Sequence, residues 1–119
     1  MIIVNCDKVK SVENKGDMVK VSPVYRKSLM EGEDYEGYHI ISVTFEPGAR
    51  LNFHTHTFPQ ILYITEGKGI VATREKEYMV TPGDVIFIPS GEVHWHGATK
   101  DSSFTHLAVY QGESEIHKQ

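Results

Sequence analysis

No stretch of this chain sustains an apolar period of 3.6 residues; short alternating runs broken by glycine and proline recur instead, which rules out most helical folds. "HIISVTF" (39–45) alternates and stops at Glu46-Pro47-Gly48, and "RLNFHTH" (50–56) alternates again. "QILYIT" (60–65) meets Glu66-Gly67-Lys68-Gly69, a hairpin-type stop. "GIVAT" (69–73), "YMV" (78–80), "VIFIP" (85–89), "HWHGA" (94–98) and "FTHLAVY" (104–110) follow, with turn residues between them. Gly and Pro supply the preset or positive φ that tight reversals need. Many short strands at this spacing predict an all-β sandwich or barrel, with its core over about 39–110. A chain of 119 residues predicts one domain, 1–119. "MIIVN" and "MVKVSPV" also look like strands, separated by a polar turn around Asn14–Asp17. The acidic stretch 30–37 reads as a solvated loop, and the polar tail from Gln111 is expected to fray.

Composition narrows what such a barrel does. The net charge of −4, with no run of Lys and Arg, argues against a nucleic-acid partner. No apolar stretch reaches membrane length, so no membrane partner is expected. The single cysteine, Cys6, excludes an internal disulfide and fits a reducing compartment; it is expected as a small buried hydrophobe. "MIIV" is too short and lacks the cationic lead of a signal peptide, so a cytoplasmic location is expected.

Histidine is the unusual residue. Seven occur, at 39, 54, 56, 94, 96, 106 and 117. Alternate side chains of a strand share a face. His54 and His56 therefore point together, as do His94 and His96, with Trp95 outward. His106 shares its face with Phe104, Ala108 and Tyr110, and His39 and His117 read as solvated. Gln60 opens a strand just past the Phe58-Pro59 corner, where its amide can reach back over His54 and His56. The two histidine patches meet only if the sheet closes on itself, as a small barrel does around one ligand. Burying several unpaired imidazoles is costly, and a divalent cation relieves that by taking their lone pairs. Imidazole suits Zn, Cu, Fe and Ni, and oxygen ligands bring Mn into range.

Gly48, His54, His56, Gln60 and Gly67 fit the pattern G-x5-H-x-H-x3-E-x6-G, with Gln for Glu. Gly83, Pro89, Gly91 and His94 fit G-x5-P-x-G-x2-H-x3-N, with Ala98 for the final Asn. In these two motifs the chain resembles the cupin family. The resemblance implies a double-stranded β-helix, or jelly-roll barrel, and a metal held by His54, His56, Gln60 and His94. "FEPGAR" (45–50), "HTH", "PGDV", "GEVHWHGA" (91–98) and "THLAV" (105–109) resemble more narrowly the small manganese-containing cupins with (R)-selective hydroxynitrile lyase activity, which carry the same HxHxxxQ variant. That likeness implies one divalent transition metal per chain, manganese first, with Fe, Ni, Co and Zn open. It also implies His106 as a general base and His96 in the pocket. The family further implies a homodimer, which the apolar "MIIV" start and outward Tyr63 and Trp95 suit.

The function expected from these residues is metal-dependent cleavage of a small molecule, a lyase reaction of the hydroxynitrile type. His106 would take the proton of a substrate hydroxyl, since a histidine titrates near the working pH. Val43, Leu51, Leu62 and Phe104 would line the pocket around an apolar substrate body. Three neutral imidazoles and an amide leave the whole 2+ charge on the metal, where a Glu would cancel one unit. Each residue also has a plainer role open to it. Gln60 would then hydrogen-bond a ligand histidine, His96 would simply line the pocket, and His106 would be a satisfied core histidine. Two other functions compete: an Fe(II) dioxygenase acting on small chelating substrates, and a non-catalytic metabolite-binding module.

Overall fold

The computed structural model describes residues 1–117, and strands dominate it. In chain order they are β1 (Val12–Glu13), β2 (Val19–Val21), β3 (Val24–Glu31), β4 (Tyr38–Phe45), β5 (Arg50–Leu51), β6 (His54–His56) and β7 (Gln60–Gly67). Then come β8 (Gly69–Ala72), β9 (Glu77–Val80), β10 (Val85–Ile88), β11 (Trp95–Ala98), β12 (Phe104–Gln111) and β13 (Ser114–Ile116). A six-stranded sheet runs β1-β3-β4-β12-β7-β10 and a five-stranded sheet runs β2-β5-β11-β8-β9. β13 and β6 form a separate pair. All pairings are antiparallel. The fold is the jelly-roll barrel expected of the two motifs.

The alternation that predicted the strands also sorts their faces. Along β7, Gln60, Leu62 and Ile64 are buried while Ile61 and Tyr63 are exposed; along β12, Phe104, His106 and Ala108 are buried. Phe45 and Phe104 stack with ring centroids 5.7 Å apart and, with Val24, Leu62 and Ile64, close the apolar end of the barrel. The other end of the same inner surface carries histidines.

Cross-strand register sets what faces what. Arg26 pairs with Val43, Val43 with His106 and His106 with Ile64, one row across four strands. Ser28, Ile41, Ala108 and Leu62 make the next row, and Glu31, His39, Tyr110 and Gln60 the one after.

Several local expectations are corrected. The Glu66–Gly69 reversal is not a hairpin: β7 pairs with β12 and β10, and β8 with β11 and β9, so the chain crosses there between sheets. Gly67 makes that crossing at φ 75°, and a side chain on it would run into the Ser103 carbonyl. "RLNFHTH" breaks at Asn52–Phe53 into β5 and β6. Met1–Asn5 is not a strand, and a 3-10 turn follows at Cys6–Lys8. Cys6 is half-buried. The acidic loop contains a 3-10 turn, Gly32–Tyr35. The tail does not fray at Gln111: β13 adds to β6, placing Ser114 opposite His56 and Ile116 opposite His54. Trp95 is only 6% exposed, because the Arg50 guanidinium lies 3.6 Å from its ring centroid. His39 and His117 are half-buried: His39 stacks on Tyr110, and His117 Nε2 lies 3.1 Å from Thr55 Oγ1. Among the described residues no helix is long and apolar enough to cross a membrane.

Candidate metal centre

β6 delivers His54 and His56 to the interior with Thr55 turned away, and a β-bridge ties His54 to His94 just before β11. The bridge is built by two backbone bonds, His54 N–H to His94 O and His94 N–H to His54 O, of 2.9 and 3.1 Å. Two segments forty residues apart thus bring three imidazoles together. One ring nitrogen from each of His54, His56 and His94 lies within 4.8 Å of the others, and all three side chains are buried.

The backbone decides which nitrogen each ring presents. His54 Nδ1–H donates to Asn52 O at 2.8 Å and His94 Nδ1–H donates to Glu92 O at 2.9 Å. Both bonds fix the tautomer and leave Nε2 as a lone pair aimed at the cluster. The Gln60 side-chain amide meets His94 Nε2, with Oε1 at 3.2 Å, so its carbonyl oxygen can face the same point as the three lone pairs. Both nitrogens of His56 lack a hydrogen-bond partner although the ring is buried. Buried polar atoms are seldom left so. Burial, first, and the neighbouring His94, second, lower the His54 pKa to about 3 and that of His56 to about 4. Burial likewise lowers His94. Proton binding therefore cannot satisfy these lone pairs at neutral pH, whereas a divalent cation satisfies them together. The donor set fits such an ion, with His54, His56 and His94 as ligands and the Gln60 oxygen facing the same point.

Two further histidines stand beside the cluster. His106 Nε2 and His96 Nδ1 lie 3.0 Å apart, so one donates to the other. Their outer nitrogens, His106 Nδ1 and His96 Nε2, are buried without partners. Burial holds the His106 pKa at about 4 and His96 well below its ordinary value. Both rings are neutral at pH 7. A neutral pair sharing one proton has one outer nitrogen protonated and the other free, so a proton taken at one end can leave at the other.

A cavity of about 270 Å³ reaches this group, with His54, His56, Gln60, His96 and His106 on its wall. His94 does not line this cavity; it lines a second one with Val71, Ile88 and Glu92 among its residues. Of the four residues expected as pocket walls, Val43 and Leu51 line the cavity. Leu62 and Phe104 do not: they are fully buried in the core, where register places Leu62 beside Ala108 on the neighbouring strand. Ile41, Ala108, Tyr110, Met18 and Arg26 are among the residues that line it instead. Tyr110 shares strand parity with His106 and was within reach of sequence reasoning. Arg26 and Met18 carried no signal, because only the pairing of β3 with β4 and of β2 with β5 brings them there.

A family model described as the cupin domain matches residues 41–110. Among curated proteins, (R)-mandelonitrile lyase of Granulicella tundricola is 49% identical over 72 residues, covering 59% of this chain and 54% of that protein. Acireductone dioxygenase of Cronobacter sakazakii is 26% identical over 93 residues, covering 69% and 52%. The chain thus spans about half the length of the curated relatives it matches. A crystal structure of a cupin-like protein from Thermotoga maritima superposes with a TM-score of 0.84 at 34% identity, covering 90% of this chain and 84% of that one.

Proposed function

This chain belongs to the cupin family, and from that premise we propose that it is a metal-dependent lyase cleaving small cyanohydrins to an aldehyde and hydrogen cyanide. The observation that carries the reading is the neutral His96–His106 pair on the wall of the same cavity as the three-histidine cluster. The likeness to (R)-mandelonitrile lyase supports the choice of reaction.

A divalent metal held by His54, His56, His94 and Gln60 would supply a Lewis acid that stabilises negative charge on the substrate oxygen. Manganese is the first candidate. His106, with a pKa of about 4, takes a proton only from an acidified hydroxyl, and its burial keeps it free to do so at neutral pH. As that proton moves to the pair, the C–O bond gains double-bond character. The C–C bond breaks, and its electrons leave with cyanide. The far end of the pair returns a proton to cyanide, so atoms and charge balance. Val43 and Leu51 hold the substrate's apolar body and exclude water from the reacting end.

The test is to assay purified protein for metal and then, loaded separately with Mn, Fe(II), Co, Ni and Zn, for cleavage of (R)-mandelonitrile. Benzaldehyde and cyanide in equal amounts, with about one metal per chain, is the expected result. The match to acireductone dioxygenase favours one rival. Oxygen uptake by the iron form with diketone or catechol substrates, and no cyanohydrin cleavage by any form, would transfer the assignment to a dioxygenase. Binding with no turnover of any substrate would favour a metabolite-binding module.

A further inference from the structure

One group on the cavity wall has no part in the chemistry above. Arg26 is the only cationic side chain among the described cavity residues, and the exposed Asp17 the only carboxylate. Arg26 begins the row that continues through Val43 to His106. Neighbouring strands lie about 4.8 Å apart, so its backbone is roughly 10 Å from that of His106. The guanidinium runs along β3 past Ser28 to Glu31, with 3.0 Å bonds from Nη2 to Ser28 Oγ and Glu31 Oε1. That places it beside the Ile41–Ala108 row and toward the row of Tyr110 and Gln60.

The guanidinium is only partly used. It carries five N–H donors. Both bonds leave from Nη2, and among the described residues no protein acceptor meets Nε–H or the two N–H groups of Nη1. Its ion pair with Glu31 is half in solvent, the side chains being 39% and 58% exposed, and such pairs hold weakly. Tyr110, on the same wall, puts its ring 5.2 Å from that of His56. The cavity wall therefore carries the histidine cluster, the apolar side chains of Ile41, Val43 and Ala108, and one guanidinium with spare donors.

We infer that this cavity takes an organic anion, a small molecule whose hydroxyl end meets the histidine cluster and whose carboxylate is received by Arg26. The inference rests on the lyase reading for what happens at the hydroxyl end, and not for the binding itself. A carboxylate can take the spare donors without displacing Glu31, but the Glu31 charge offsets the guanidinium and repels a second anion, so Glu31 weakens binding.

Calorimetric titration of the metal-loaded protein with 4-(hydroxymethyl)benzoate and with benzyl alcohol tests this without turnover. The carboxylate ligand should bind roughly tenfold or more tighter, the scale of one hydrogen bond to a charged group. Arg26→Gln should erase that preference at unchanged metal content. Glu31→Gln should tighten carboxylate binding several-fold and leave benzyl alcohol unaffected. Equal affinity for the two ligands, a preference that survives Arg26→Gln (the carboxylate then sitting on the metal), or no tightening in Glu31→Gln would each overturn the inference. If Arg26→Gln fails to fold, the Glu31→Gln result still decides. A protein that shows the Arg26-dependent preference yet cleaves no cyanohydrin sinks the lyase reading and leaves this one. A protein that cleaves mandelonitrile without the preference does the reverse.

Discussion

The barrel holds two groups of histidines, a triad and a pair, built from the same residue at the same depth, and they are prepared for different work. In the triad, the far nitrogens of His54 and His94 are tied to backbone carbonyls, so their near nitrogens present fixed lone pairs. In the pair, His96 and His106 are tied to each other, and the proton between them is free to choose a side. Burial lowers the pKa in both groups. What separates them is the partner of one ring nitrogen. A carbonyl can only accept, so it locks a tautomer; an imidazole can do either, so it leaves a proton mobile.

The sharpest way to break this contrast is to delete a triad member. His94→Ala should drop metal content far below one per chain and abolish turnover. The metal-affinity loss should exceed the 10- to 100-fold that removal of an outer hydrogen-bonding partner costs. Elemental analysis of the dialysed variant checks it; full metal retention would remove His94 from the ligand set. Deleting a pair member should do the opposite. His106→Ala should keep about one metal per chain and lose roughly 10²- to 10⁴-fold in kcat, the usual worth of a general base. Metal loss in that variant would move His106 into the coordination sphere.

Acid should act on both groups through stability. Each folded pKa lies below the unfolded value near 6.5, so the unfolded chain binds more protons between the two. Stability of the metal-free protein is therefore fully present above pH 6.5 and falls as pH drops toward 4. The loss from His106 alone is on the order of 3 kcal/mol. Urea midpoints measured from pH 7.5 to 4.5 report this, and His106→Phe should flatten the slope. The smallest effect belongs to Gln60→Glu. Metal should stay, and turnover should fall on the order of tenfold, about 1.4 kcal/mol of lost charge stabilisation. Equal or higher activity in that variant would remove the argument from the neutral ligand set.

Both motifs were legible because their signals are local. Strand parity puts His54 with His56 and His94 with His96 before any fold is known, and glycines at fixed spacing mark the turns that bring them back. The same parity would have reached Tyr110. It failed for Leu62 and Phe104, which do face inward, because facing inward does not say whether a side chain meets the cavity or the packed end of the barrel.

From the residues alone came the strand-rich architecture and the inward histidines, because period-two alternation and turn chemistry act over a few residues; the likeness to the two cupin motifs added the ligand set. Three-dimensional pairing settled the rest. It crossed the chain between sheets at Gly67, laid β13 beside β6, buried Trp95 under Arg50, joined His96 to His106 and brought Arg26 to the cavity. Each of these depends on which strands become neighbours. That choice is made by the mutual burial of faces far apart in the chain, and no local spacing records it.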